Sequence, residues 1–359
     1  MEAGDGMSRE DAARRTVVEV AFGGVDITKS IRPYFISLTY TDKEEDETDD
    51  LQLQLQDREQ LWMEQWLAEA VDAAAAARLN MEARIIRENW NGDGKDVILP
   101  CGSFELDSVT AGGPPSTVTV KGTSLAFSSS IRQTEKSKAW ESYYLSGIAG
   151  EMASAAGMTL MYEAGTDPYY ARVEQVKTSD ISFLSTLCHN AGISLKATDG
   201  MLVLFDQMDY EGKRPVFTIR RGSGAYLSYD LETGSAKTKY ASCRVSYVDQ
   251  SGTCIAATAW DPDQTEDNQT DQRLEITARV SSIGEAQALA EKMLRLRNKY
   301  EKTASFTLPG NPALVAGVTV ELEKWGAWSG RYIVKQAQHT VGSAGYTTKV
   351  TLRKCLEGY

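Results

Sequence analysis

Residue types that often carry enzymatic chemistry are few in this sequence and lie far apart. The chain of 359 residues has two histidines, His189 and His339, and neither has a cysteine or aspartate at ligand spacing. No G-x-S-x-G, H-E-x-x-H or Walker phosphate loop occurs. Carboxylates are abundant, but they cluster in polar loops, where no burial would raise a pKa for acid/base work. We therefore predict no catalytic residue, and we interpret both histidines as hydrogen-bonded structural residues.

Two polar loops have some features of ion or phosphate sites. The turn Asn91-Gly92-Asp93-Gly94 lies between two strand patterns with no helix after it, so it is typical of a hairpin turn and not of a phosphate loop. The acidic stretch 261–271 partly matches a calcium loop. Glu266 and Gln272 stand where such a loop needs a glycine and a bidentate glutamate, so we expect a solvated excursion. No cofactor and no metal site is predicted.

The cysteines number five, at positions 101, 188, 243, 254 and 355, with no C-x-x-C spacing. An odd, scattered set of this kind is typical of buried, reduced thiols in a protein that folds in a cytoplasm. Cys243 and Cys254 could face each other across a hairpin, but no disulfide is predicted.

Composition and charge narrow the possible partners. The formal net charge is −12, which disfavours binding to nucleic acid and docking on anionic lipid. No apolar run approaches the length of a membrane span, and the N-terminus has no apolar segment of the signal-peptide kind. We expect no specific nucleic-acid binding and no membrane insertion, and we expect residues 1–13 to be a flexible lead-in.

Strand patterns dominate residues 14–131. An acidic run, 42–50, leads into Leu51-Gln52-Leu53-Gln54-Leu55-Gln56, whose strict alternation predicts a strand with one buried face. The acidic run is interpreted as a solvated hairpin loop, with a docking surface for a basic partner as the alternative. Residues 58–79 carry Trp62, Trp66 and an alanine-rich tail, which predicts an inserted helix.

The pattern changes in residues 132–211. Helices are predicted over 139–156 and 180–191, each followed by a glycine, and a hairpin is predicted around Thr198-Asp199-Gly200. This predicts a small α/β module between two β-rich segments.

Residues 212–359 return to strand patterns. They include a predicted helix over 281–300, interpreted as a crossover inside a second β domain, and a terminal three-stranded meander over 316–354. A meander needs a partner sheet or barrel wall to cover its apolar side, and strands between Pro215 and Trp260 are expected to supply it.

Four stretches, in order, resemble the phage late control gene D family, the baseplate hub proteins of contractile tails. They are TDKEEDETDDLQLQLQDREQLWMEQW, LPCGSFELDSVTAGGPPSTVTVKGTSLAFSSSIRQTEKSKAWE, DISFLSTLCHNAGISLKATDGMLVLFD and the terminal meander. The resemblance covers roughly residues 14–356. The chain departs from the family after the Trp-containing helix, where LAEAVDAAAAARLN replaces the usual Pro- and Gly-containing turn.

The resemblance implies a mainly β fold with an α+β insert. Two β-barrel hub domains, 14–131 and 212–359, would be separated by the α/β module 132–211, with the long crossover helix near 281–300. Hub proteins of this family form trimers whose ring adapts a sixfold tail tube to a threefold spike. The implied partners are further copies of the chain, the tail tube protein, the spike protein, and baseplate wedge or tape-measure proteins. The protein would be made in a bacterial cytoplasm and become part of a phage tail, tailocin or related particle.

The same resemblance suggests residues that could contact a neighbouring subunit or partner. They are Asp46, Asp49, Trp62, Trp66, Trp325, Trp328 and Tyr332. For Trp325, Trp328 and Tyr332, packing at the turn of the terminal meander is the alternative. Since related tail proteins are sometimes fused to a cell-wall hydrolase, peptidoglycan cleavage is the alternative function, although no candidate catalytic residue supports it.

Overall fold

The structure is a computed structural model. It describes residues 13–45, 48–60, 80–90, 95–124, 130–198, 200–234, 239–248, 251–262 and 272–356. The predicted alanine-rich helix with Trp62 and Trp66 lies outside the described residues, as do Asp46, the turn 91–94 and the acidic loop from 263 to 271.

The strands are β1 Arg15–Phe22, β2 Val25–Asp26, β3 Phe35–Lys43, β4 Asp50–Gln56, β5 Asn80–Glu88, β6 Val97–Gly112, β7 Thr117–Thr123, β8 Glu135–Tyr144, β9 Thr159–Glu163, β10 Tyr169–Ser179, β11 Ser194–Thr198, β12 Met201–Phe205, β13 Phe217–Arg220, β14 Ser228–Thr233, β15 Ser242–Val248, β16 Cys254–Trp260, β17 Arg273–Thr277, β18 Lys302–Pro309, β19 Thr319–Glu323, β20 Gly330–Gly342 and β21 Gly345–Lys354. The helices are α1 Thr28–Ile31, α2 Ser130–Gln133, α3 Leu145–Ala155, α4 Asp180–Ala191, α5 Gln207–Glu211 and α6 Ile283–Asn298.

One large sheet joins the two ends of the sequence. Its order is β14-β18-β21-β20-β3-β4-β7-β6-β5-β1-β2, and β13 pairs with β19, which pairs with β20. The alternation in β4 is confirmed, because Leu51, Leu53 and Leu55 are buried while the glutamines between them are half-exposed. The mainly β class is therefore confirmed. Among the described strands the pairing forms an open path, and the enclosure of each core by a barrel stays a prediction.

Strand β20 belongs to two packing units at once. Its first half, from Gly330 to Ile333, pairs with β19, and its second half, from Gln336 to Gly342, pairs with β3. A bulge falls between Val334 and Gln336, where the partner changes. Because a bulge bends a strand and increases its twist, it lets one strand serve two differently oriented walls.

Two hydrophobic cores lie along this sheet. The first is built from β1 and β3–β7, and it is completed by Val341 and Tyr346 from the C-terminal strands. The second contains Phe306, Trp325 and Tyr332 with the inward residues of β13, β18, β19 and β21. The C-terminal meander thus contributes to both cores.

The predicted α/β module has its own core. Helices α3 and α4 pack with the sheet β11-β12-β9, and with the ribbon formed by β8 and β10. Helix α4 begins at the N-cap Ser179, whose Oγ accepts from the Ser182 N–H, and it ends at Gly192 in the left-handed conformation. Both predicted helices are present, although the first begins at Leu145 because β8 occupies 135–144.

Helix α6 differs from the prediction in what it covers. It packs on a separate three-stranded sheet, β16-β15-β17, and the two form a fourth core that includes Cys243, Val245 and Leu294. Strands β15 and β16 therefore do not complete the wall over the terminal meander; β13 and β14 do. The sequence could not reveal this, because residue patterns identify a strand without identifying the strand that it pairs with.

Candidate functional site

The acidic run folds inward, against expectation. Asp42, Glu44 and Asp49 are 5%, 2% and 1% exposed, so the prediction of a solvated loop is wrong for these three residues. Carboxylates are buried this deeply only when cations and hydrogen-bond donors surround them. The cations come from distant parts of the same chain, as described next.

Arg353, at the end of β21, holds two carboxylates. Its Nε and Nη2 donate to the two oxygens of Glu44 at 3.0 and 2.6 Å, and its Nη1 donates to Glu211 of α5 at 2.6 Å. The second oxygen of Glu211 accepts from Arg295 of α6 and from the Leu356 N–H. Burial alone would lower the pKa of the Arg353 guanidinium, but the charges of Glu44 and Glu211 outweigh it and raise that pKa. Arg353 is therefore permanently charged.

Glu45 carries the contact between the acidic run and the end of α6. One of its oxygens pairs with Lys299, and the other accepts from Ser194 Oγ at 2.6 Å and from Gln207 Nε2 at 2.5 Å. Burial would raise the pKa of Glu45, but the charge of Lys299 and these hydrogen bonds outweigh it and lower that pKa. Glu45 therefore stays ionised at neutral pH.

Asp42 and Asp49 share one lysine. Lys196 of β11 lies 2.5 Å from Asp42 Oδ1 and 3.6 Å from Asp49 Oδ1. Asp49 also accepts from Thr198 Oγ1 at 2.7 Å and from the Lys43 N–H at 2.9 Å. Burial, opposed by Lys196 and reinforced by the charge of Asp42, raises the pKa of Asp49 to about 6.

Together these groups form what we call the charge junction. It consists of Asp42, Glu44, Glu45, Asp49 and Glu211 with Lys196, Arg295, Lys299 and Arg353. It ties the β3–β4 connection to the α/β module, to α6 and to the last strand. Because each carboxylate is already engaged by a cation of this chain, the junction is suited to holding modules together.

The two histidines differ in environment. His339 is fully buried; its Nε2–H donates to the Leu314 carbonyl at 2.9 Å, and its Nδ1 lies 2.7 Å from Tyr346 Oη. Burial lowers the pKa of His339 to about 4. His189 lies exposed in the last turn of α4. A neutral, fully enclosed imidazole has a packing role, as predicted for His339.

The predicted interface residues in the terminal meander lie within the chain. Trp325 is buried, its Nε1–H donates to the Ile219 carbonyl at 2.9 Å, and its ring packs against Tyr226, Tyr229 and Phe306. Tyr332 is fully buried in the same core, and Trp328 is half-buried against it. Packing at the turn, the alternative for these three residues, describes their positions. Trp325 and Tyr332 are covered by residues of their own chain, and their contact with a neighbouring subunit stays a prediction.

Asp49 was also predicted at an interface, and in the structure its partners are groups of its own chain. Sequence reasoning missed Arg353, Glu211, Lys196 and Lys299 altogether. No local signal was present for Arg353, because the alternation of Tyr346, Thr348, Val350 and Leu352 would place it on the opposite face of β21.

Other groups that could carry chemistry are dispersed. The described residues contain no cluster of three or more histidine, cysteine or acidic side chains arranged to hold a metal ion. The five cysteines are thiols and not disulfides; Cys254 is exposed, unlike the other four, and Cys243 faces Ala259 across the hairpin. A shallow groove of about 480 Å³ on β1, β5 and β6 is lined by Glu19, Glu82 and Arg84 among others.

No helix in the described ranges has the length and apolar character needed to cross a bilayer.

Comparison with solved structures relates this fold to tail proteins. The chain is similar to the tail protein from Neisseria meningitidis MC58, with a TM-score of 0.68 and 13% identity over 95% of this chain and 97% of that one. It is also similar to the 43 kDa tail protein of prophage MuSo2 from Shewanella oneidensis, with a TM-score of 0.66 and 12% identity over 94% and 98%.

A third similar structure is the E. coli c3393 protein, with a TM-score of 0.53 and 9% identity over 91% of this chain and 75% of that one. It is described as a type VI secretion system component with structural similarity to the bacteriophage T4 tail proteins gp27 and gp5. No protein-family model matches the sequence, and no curated protein matches it in sequence. The chain therefore has the fold of phage tail and tail-like secretion proteins, which is the coarser part of what the sequence predicted.

Proposed function

We propose that this chain is a structural hub subunit in the baseplate of a contractile phage tail or a related injection particle. Three copies would form a ring that adapts the sixfold tail tube to the threefold spike. The observation that carries the proposal is a shared fold along almost the whole chain, 95% of it in one tail protein and 94% in another.

The arrangement of the two large cores supports this proposal. Both lie on one continuous sheet, so three chains would present six β-rich walls, the number that a sixfold tube requires. Since β20 runs through both units, they are joined by backbone hydrogen bonds and not only by a flexible linker. A rigid coupling of this kind suits a part that must hold a tube and a spike in register.

The charge of the chain fits passage of cargo through such a ring. A net charge of −12 would repel DNA phosphates if the acidic side chains faced the lumen. In this proposal the partners are the tail tube protein, the spike protein and wedge or tape-measure proteins, and the protein is made in a bacterial cytoplasm before assembly.

Assembly state tests the proposal directly. We expect light scattering of the purified chain, alone and mixed with the spike protein of its particle, to give the mass of a trimer in at least the mixture. We expect a deletion of the gene to yield tubes without spikes. Particles that assemble normally without the chain would contradict the proposal. Strong clearing of peptidoglycan in a zymogram would instead favour the hydrolase, since a hub needs no such activity.

A further inference from the structure

The charge junction contains more buried acids than buried bases. Among the described residues, five carboxylates face four cations, and all nine side chains are less than one-sixth exposed. Three of the cations pair with three of these carboxylates. Arg353 pairs with Glu44 and Glu211, Arg295 pairs with Glu211, and Lys299 pairs with Glu45. The surplus negative charge therefore falls on Asp42 and Asp49, which have only Lys196 between them.

We propose that the Asp42–Asp49 carboxylate pair is a proton-binding site that fastens β11 of the α/β module to the β3–β4 connection. With one proton bound, the pair carries one negative charge and matches the single charge of Lys196. Without the proton, two buried anions share one cation and repel each other, which weakens the contact.

The proton resides on Asp49 for geometric reasons. Asp42 has the closer contact with Lys196, at 2.5 Å, and its other oxygen accepts from the Ala316 N–H at 2.8 Å, so both of its oxygens are engaged by donors. Asp49 is 3.6 Å from Lys196 and otherwise meets neutral donors, Thr198 Oγ1 and the Lys43 N–H. The rise in the pKa of Asp49 to about 6, caused by burial and by Asp42, agrees with this assignment.

Among the described residues, the ion pairs of Asp42 and Asp49 are both made with Lys196. The Lys43 ammonium turns away to Asp50 at 3.4 Å, and Glu44 and Glu45 are engaged by Arg353 and Lys299. Other described groups near the pair are Ser124 of the segment after β7, Thr198 of β11, Cys101 of β6 and His339 of β20. Cys101 and His339 are both neutral at pH 5 to 8, because burial raises the pKa of the Cys101 thiol to about 12 and lowers that of His339 to about 4.

The sign of the pH effect follows from these positions. Since the closed junction holds the Asp49 proton more tightly than an opened one does, closure is favoured at acidic pH and is lost as the pH rises through about 6. The pKa of Asp49 is about 6 in the closed junction and 3.8 when the contact opens. This difference corresponds to a roughly tenfold drop in the equilibrium constant for closure between pH 5 and pH 8.

Hydrogen exchange of the full chain, followed by mass spectrometry on peptides covering β11, tests the proposal. We expect the protection of β11, corrected for the intrinsic pH dependence of exchange, to fall about tenfold from pH 5 to pH 8. Asp49→Asn keeps the shape and removes the titration, so its protection should not change over this range. Asp42→Asn removes the repelling charge, so the fall should move below pH 5.

Asp180→Asn is the matched control. Asp180 is also buried, but it has Lys136 to itself at 2.5 Å and Gln175 as a second partner, so this variant should keep the wild-type profile of β11. A flat wild-type profile, or a pH dependence that survives in Asp49→Asn, would overturn the proposal. The experiment measures the local protection of β11. The pH dependence that His339 gives to global unfolding therefore does not affect the comparison.

Discussion

Arg353 is the residue whose loss we expect to damage the fold most. It is fully buried and makes three hydrogen bonds, two to Glu44 and one to Glu211. In Arg353→Met the apolar stem is preserved while the charge is removed. Glu211 keeps Arg295, but Glu44, whose cation among the described residues is Arg353, is left as an unpaired buried carboxylate.

Breaking one side of a buried ion pair typically costs about 3–5 kcal/mol, because the remaining charge stays desolvated. We expect Arg353→Met to lower the free energy of unfolding by about this amount, measured by urea denaturation at pH 7. Adding Glu44→Gln to the same chain should restore a large part of the loss, since the orphaned charge is then gone.

Arg172 provides the matched control on the surface. It also bridges two glutamates, Glu141 and Glu174, but its side chain is 60% exposed. Arg172→Met should leave the urea midpoint unchanged, because water solvates all three charges. Equal effects of Arg353→Met and Arg172→Met, or no rescue by Glu44→Gln, would refute the reasoning that burial and not pairing sets the size of the effect.

Two further predictions concern the first core. A methyl group at Gly310 would lie 2.1 Å from the ring of Tyr346, so Gly310→Ala should cost about 1–3 kcal/mol in urea unfolding, whereas Gly112→Ala, with open space around it, should be neutral. His339 folds neutral with its pKa lowered to about 4, so its contribution to stability is present above about pH 6.5 and is lost as the pH falls toward 4. Between pH 7 and pH 5, the free energy of unfolding of His339→Gln should therefore fall by about 2 kcal/mol less than that of the wild type. Equal falls in the two proteins would contradict the assignment.

Local periodicity was enough to predict most strands and helices, but not their partners. The Leu51–Gln56 strand and the helix ending at Gly192 follow from residues that are neighbours in sequence. Helix α6 was also predicted, yet its sheet was not, because β15 pairs in parallel with β17, and β16 lies between them in sequence.

The charge junction could not be predicted for the same reason. Glu44 and Arg353 are 309 positions apart, and Asp42 and Lys196 are 154 apart. In sequence, the acidic run has the composition of a solvated loop, and nothing local indicates that its counter-charges are supplied by β11, by α6 with its C-cap Lys299, and by β21. For Trp325 and Trp328 the sequence left packing within the chain and contact with a neighbour both open, since a tryptophan in a turn can pack inward or outward with the same local pattern.

Because β20 pairs with strands of both packing units, the first core can be completed only late in synthesis on the ribosome. Tyr40 of β3 and His339 of β20 face each other in the sheet, although roughly 300 residues separate them in the order of synthesis. The first core also waits for Val341 and Tyr346 before it is complete. Until then β3 presents an unpaired edge, the kind of surface that invites wrong pairing between nascent chains. The N-terminal strands are therefore synthesised early, but their core is completed last. We expect slow translation, or truncation before β20, to promote aggregation.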